Sequence, residues 1–73
     1  MPKQYSVRLV IRVLRSKGFF FVSQKGSHAK YRKVGKLVLT VIIPKHEKDL
    51  RYGTFKSILE QAQLKESDFN KRK

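Results

Sequence analysis

Apolar positions along this chain follow two different spacings. Between Ser6 and Lys17, Val7, Val10, Ile11 and Leu14 recur at i, i+3, i+4 and i+7, and Leu9 and Val13 widen the same face. Arg8, Arg12 and Arg15 recur at helical spacing on the opposite side. Ser6 is of a type that accepts a bond from a first-turn amide, and Gly18 tolerates positive φ just past the end. A helix over Ser6 to Lys17 is the expectation.

Beyond Gly18 the period shortens. Phe19 to Gln24 is aromatic and β-branched and reads as a strand, with alternate positions of Phe19 to Phe21 in the core and the outward one, Phe20 or a neighbour, left open. Lys25-Gly26-Ser27 is turn chemistry. His28 to Lys33 then alternates, with His28, Lys30 and Arg32 on one side and Ala29, Tyr31 and Lys33 on the other. The chain should reverse around Gly35, and Lys36 to Ile43 is the strongest strand pattern. Pro44 ends it, because proline cannot donate to a ladder. Residues 45–53 are polar and read as the longest loop.

Gly53-Thr54 opens a second helix, with Thr54 as N-cap and Phe55, Ile58, Leu59 and Ala62 as its apolar stripe. Leu64 and Phe69 should fold a short last turn onto the core, and Asn70 to Lys73 should fray. The order is α-β-β-β-α. It predicts an α+β fold: a three-stranded antiparallel sheet, two helices on one face, and the other face open to a ligand. No repeat or linker divides the chain, so residues 1–73 read as a single domain.

Composition narrows the function classes. At 73 residues the chain buries only about 60% of the surface it exposes when unfolded, so its core must be compact. The absence of cysteine removes disulfides, thiolate zinc sites and thiol nucleophiles. Arg8 and Arg12 interrupt the apolar run at 7–14, no small-residue cleavage site follows it, and no stretch is long enough to span a bilayer. A soluble, cytoplasmic chain with no membrane role is expected.

Charge points to the partner. Lys and Arg number 18 against five acids, for a net charge of +13. Every acid (Glu47, Asp49, Glu60, Glu66, Asp68) follows position 46, so residues 1–46 carry +11 and the remainder +2. Such a field favours a polyanion, because neutralising phosphates releases condensed counterions. Nucleic acid is the partner the charge favours, an acidic protein comes next, and a membrane surface follows well behind.

The densest chemistry is Lys25-Gly26-Ser27-His28. Gly26 lets backbone approach a phosphate, Ser27 and nearby amides can donate to phosphate oxygens, and Lys25, Lys30 and Arg32 supply positive potential. Histidine is the side chain suited to move protons near neutral pH, so His28 is a candidate for catalysis, set against the plainer reading of a solvated surface residue or a backbone hydrogen-bonder. Because RNA carries its own 2′-hydroxyl nucleophile, a general base with lysines near the phosphate needs no metal or cofactor. The acid for the leaving oxygen is left open between Tyr31, a lysine and water. His46, after Pro44-Lys45, reads as shaping its loop or touching phosphate. Two histidines without cysteine or a tight acid cluster give no metal-ligand spacing. The Arg8, Arg12 and Arg15 stripe reads as a solvated helix face that could also dock an acidic partner.

Four segments resemble the HicA-like (YcfA-type) toxins of toxin–antitoxin modules: Lys17-Gly18-Phe19, Gln24-Lys25-Gly26-Ser27-His28, Pro44-Lys45-His46, and Gly53 to Leu59. The resemblance runs in order over nearly the whole chain. It implies a fold similar to the double-stranded-RNA-binding domain. It also implies a ribosome-independent endoribonuclease that cleaves mRNA and is silenced by a HicB-type antitoxin, with the catalytic histidine of the Gly-Ser-His motif at His28. Ser23 departs from the pattern, standing where many members carry arginine. The toxin alone is expected to be a monomer. The alternative is a noncatalytic RNA-binding module of the same architecture. A duplex binder, however, places a lysine cluster at the start of its second helix, where this chain offers Lys56 alone.

Overall fold

The computed structural model describes residues 5–70. The elements run β1 (Tyr5–Ser6), α1 (Val7–Ser16), β2 (Phe20–Lys25), β3 (His28–Val34), β4 (Val38–Pro44), β5 (Asp49–Leu50), α2 (Tyr52–Ala62) and α3 (Ser67–Asn70). β2, β3 and β4 form a three-stranded antiparallel sheet in sequence order. With a helix before and after it, this is the expected α-β-β-β-α arrangement.

α1 starts and stops as its end residues dictate. Ser6 Oγ accepts from the Leu9 amide at 3.0 Å. At the other end Gly18 has φ of +102°, and the amides of Gly18 and Phe19 return to the carbonyls of Arg15 and Leu14 at 3.1 and 2.9 Å. Those two bonds make a Schellman close, and the buried pair Leu14 and Phe19 supplies its hydrophobic contact. Val7, Val10 and Leu14 are buried, Leu9, Ile11 and Val13 pack partly against the core, and Arg8, Arg12 and Arg15 are exposed.

The core lies between the helices and one face of the sheet. Ala29 and Tyr31 of β3 stand opposite Ile43 and Val41 of β4, and all four are buried with Phe55, Ile58, Leu59 and Ala62 of α2. The alternate residues face outward: His28 opposite Pro44, Lys30 opposite Ile42, and Arg32 opposite Thr40. β2 begins one residue later than expected, at Phe20, with Phe19 buried just before it. A β-bulge between Phe21 and Ser23 breaks the alternation, and Phe20 and Phe21 both remain about half exposed on this edge strand. β4 likewise begins at Val38, because Gly35 to Leu37 form the loop, and Pro44 is its last residue.

Two expectations fail at the second helix. Residues 45–53 are not all loop: Leu50, 1% exposed, carries β5, which pairs Tyr5 with Leu50 and Ser6 with Asp49. Thr54 is not the N-cap. α2 begins at Tyr52 with Arg51 as the cap residue, no side chain caps it, and the Phe55 amide already donates to the Arg51 carbonyl at 2.9 Å. The reason is packing. Burying Leu50 in the core brings the chain into helical register a turn earlier than the local Gly-Thr signal implies.

An aromatic cluster fastens the C-terminal turn as expected. Phe55 stacks on Tyr5 with ring centroids 3.9 Å apart and meets Phe69 edge-on at 5.1 Å. The hydroxyls of Tyr5 and Tyr52 donate to the Glu66 carboxylate at 3.0 and 2.9 Å. The bond to Glu66, with burial next, pushes the Tyr52 hydroxyl above the ordinary tyrosine pKa. Lys17 pairs with Asp68 at 3.3 Å, tying α1 to α3. Asn70 closes α3, and residues 71–73, expected to fray, lie outside the described residues. Among the described residues no helix is long and apolar enough to cross a membrane.

Candidate active site

The β2–β3 turn aims His28. Lys25 pairs with His28 across a two-residue hairpin, and Gly26 holds φ of +61°, a value that suits the first residue of a tight hairpin turn. Gln24 Nε2 donates to the Gly26 carbonyl at 3.0 Å, bracing the turn from outside. His28 is the first residue of β3, so its imidazole projects from a paired strand. Lys30 and Arg32 follow it on the same outward face, and Ser23 and Phe20 stand beside them on β2. Lys25, Lys30 and Arg32 form no ion pair with a described residue, so their charge is available to a ligand.

A second imidazole meets the first. The Lys45 amide donates to the Ser27 carbonyl at 2.6 Å, carrying the β3–β4 ladder one step past the His28–Pro44 pair. The chain then turns, with the Glu47 amide on the Pro44 carbonyl at 3.4 Å. This places the His46 ring 6.1 Å from the His28 ring, centroid to centroid, at 64°. His46 Nε2 contacts Glu47 Oε2 at 3.2 Å. Both histidines line one cleft of about 370 Å³, together with Ile42, Pro44, Glu47, Leu50, Arg51 and Thr54. Thr54, displaced from the cap position, thus presents its first-turn surface to this cleft beside Arg51.

A larger groove of about 730 Å³ lies along α1, walled by Arg8, Arg12, Arg15, Lys45 and Lys48 over Val7 and Ile11. The expected solvated stripe is therefore one side of a basic channel. It meets the histidine cleft at Glu47, which lines both. Among the described residues no three His, Cys, Asp or Glu side chains gather where they could hold a metal ion.

Residues 7–64 match the family model described as HicA toxin of bacterial toxin-antitoxin. The chain belongs to the HicA toxin family. The match runs from the first residue of α1 to just past α2 and so includes both histidines, the Gly26 turn and the whole sheet. No curated protein compared with the chain matches it. As a HicA toxin the chain is the toxin member of a toxin–antitoxin system, and an antitoxin is its partner.

Within this HicA toxin the structure brings Lys25, Gly26, Ser27 and His28 together at the β2–β3 end of the sheet, and Lys30 and Arg32 follow His28 along the same outward face of β3. Tyr31 is not among them. It is 4% exposed and turned to the core, since strand alternation places it opposite His28 and Lys30, so it is removed as a donor to the leaving oxygen. The cleft also holds Arg51, to which sequence reasoning assigns no role, Thr54, expected only as a helix cap, and His46, expected to shape its loop or touch phosphate. The place of His46 follows from the hairpin register: a three-residue loop at Gly35 sets Pro44 against His28 and leaves His46 beside it.

Proposed function

We propose that this HicA toxin is a metal-independent endoribonuclease that cleaves mRNA, with His28 as the proton carrier and the RNA 2′-hydroxyl as nucleophile. The observation that carries this reading is the placement of His28. It is an exposed imidazole on a paired strand, at the mouth of a cleft, with Lys25, Lys30 and Arg32 on the same face. His28 takes the 2′-hydroxyl proton as that oxygen attacks the adjacent phosphorus. The P–O5′ bond breaks, leaving a 2′,3′-cyclic phosphate on one fragment and a 5′-hydroxyl on the other once that oxygen gains a proton. The lysines and Arg32 stabilise charge building on the phosphoryl oxygens, and Gly26 and Ser27 present backbone to the strand. A HicB-type antitoxin silences the activity, and the toxin acts in the cytoplasm as a monomer until bound.

The test is His28→Ala in the purified chain, with single-stranded RNA cleavage and RNA affinity measured side by side. Cleavage should fall by about 10²–10⁴-fold, the usual worth of a placed acid–base group, while affinity stays within a few-fold. His28 is exposed and is not one of the buried core residues, so the melting temperature should hold. A variant that cleaves and arrests growth like the parent rejects the assignment. RNA binding by the parent chain with no cleavage at all points instead to the noncatalytic module.

A further inference from the structure

We infer that His46 is the second proton carrier of this site, protonating the oxygen that leaves after His28 has activated the ribose 2′-hydroxyl. The inference rests on the RNA-cleaving reading above and goes beyond it by naming the acid. A single neutral imidazole takes one proton but does not deliver another to an alkoxide on the far side of phosphorus. Tyr31 is buried on the other face of the sheet. His46 shares the cleft with His28, and their centroids are 6.1 Å apart. At that spacing the rings are neighbours with no room for a phosphate between them, but a phosphodiester lying across both in the shared cleft meets one imidazole on each side.

The position of His46 is built rather than left to a loose loop. Pro44 restricts the backbone before it, the Lys45 amide is fixed to Ser27, and the Glu47 amide closes a turn onto Pro44. Those bonds shape the segment without the imidazole, so loop shaping does not account for the side chain. Its Nε2 is engaged by the Glu47 carboxylate at 3.2 Å, which leaves Nδ1 as the nitrogen for a ligand. The ring remains about half exposed, at 52%, and is reachable from solvent.

His28 accepts the 2′-hydroxyl proton, the 2′-oxygen forms a bond to phosphorus, and the P–O5′ bond breaks. The imidazolium of His46, ion-paired with Glu47, gives its Nδ1 proton to the departing 5′-oxygen. His28 ends protonated and His46 neutral, and exchange with water restores both. Arg51 and Thr54, on the α2 wall of the cleft, lie within the same enclosure to hold the phosphate.

Leaving-group chemistry separates the two histidines. The full-length chain is given an RNA with an ordinary 5′-oxygen leaving group, and a uridine 3′-(4-nitrophenyl phosphate) whose leaving group departs without a proton. His46→Ala should slow the ordinary RNA by about 10²–10⁴-fold and the nitrophenyl ester by less than tenfold, whereas His28→Ala slows both. His46→Asn, which keeps a hydrogen-bonding side chain but transfers no proton, should behave as His46→Ala. The charged and titratable groups around His46 are His28, Lys45, Glu47 and Arg51. With the ordinary RNA the alkaline fall in kcat/KM should disappear in His46→Ala while the acidic limb stays. Equal losses on both substrates, or no loss on either, overturn the assignment of His46. Undiminished cleavage of both by His28→Ala overturns the RNA-cleaving reading itself and the pairing with it.

Discussion

Gly26 sets where the His28 imidazole points. Its φ of +61° lies in the left-handed region, yet a Cβ built there meets nothing within 4 Å. Space is therefore not the constraint, and the cost of any L side chain is conformational, roughly 1–2 kcal/mol. Gly26→Ala should lower stability by about 1 kcal/mol, read as a urea midpoint shift, and should also slow cleavage as His28 loses its aim. Gly26→Asn should recover part of both, because asparagine tolerates this region better than alanine. Wild-type midpoint and rate in Gly26→Ala would show that the turn does not depend on this φ. His28 and its glycine were legible in the sequence because turn and strand signals there are local. The pairing with His46 was not, since it depends on the loop after Val34 holding three residues. A one-residue slip would have turned His28 to the opposite face relative to its partner strand.

At the scale of elements, helix ends divide the readable from the unreadable. α1 ends on Gly18, a glycine at the position a Schellman close favours, and its extent was predicted to within a residue. α2 ends the same way without glycine. Gln63 holds φ of +56°, and Leu64 returns its amide to the Leu59 carbonyl at 3.0 Å. Gln63→Gly should therefore stabilise the chain. The left-handed cost of about 1–2 kcal/mol is removed, offset by about 0.5–1 kcal/mol for the freer unfolded glycine, for a net gain near 0.5–1 kcal/mol. A higher urea midpoint with unchanged slope is the expected result, and a lower one would contradict the strain. The start of α2 misled for the complementary reason. Gly53-Thr54 is a sound local cap signal, but the two-residue β1–β5 pair and the burial of Leu50 override it. A two-residue strand has no period to read, and its partner lies more than forty positions away.

Across the whole molecule the charges are sorted by use. Glu66 accepts from Tyr5 and Tyr52, Asp68 pairs with Lys17, and Glu47 contacts His46, so three of the five acids are occupied inside the fold. On the open sheet face Lys25, Lys30 and Arg32 have no such counter-charge among the described residues. The asymmetry seen along the sequence thus becomes two positive surfaces, the sheet face and the α1 channel, while those three acids are engaged within the fold. If RNA phosphates supply the missing charge, affinity must fall with salt, by about 0.7 in log–log slope per phosphate contacted on a single strand. Replacing Lys25, Lys30 and Arg32 together by glutamine should flatten that slope by roughly 2, with little change in melting temperature because no ion pair is lost. Replacing Arg8, Arg12 and Arg15 instead alters no side chain of the histidine cleft, so kcat at saturating RNA should stay at the parent value. Titrating a fluorescent single strand from low to physiological salt measures the first, and single-turnover cleavage the second. A slope left intact by the sheet-face triple would place the phosphates elsewhere, with the α1 channel the first surface to examine. The helix triple would then flatten the slope instead, and the strand would reach His28 from the Glu47 side of the cleft.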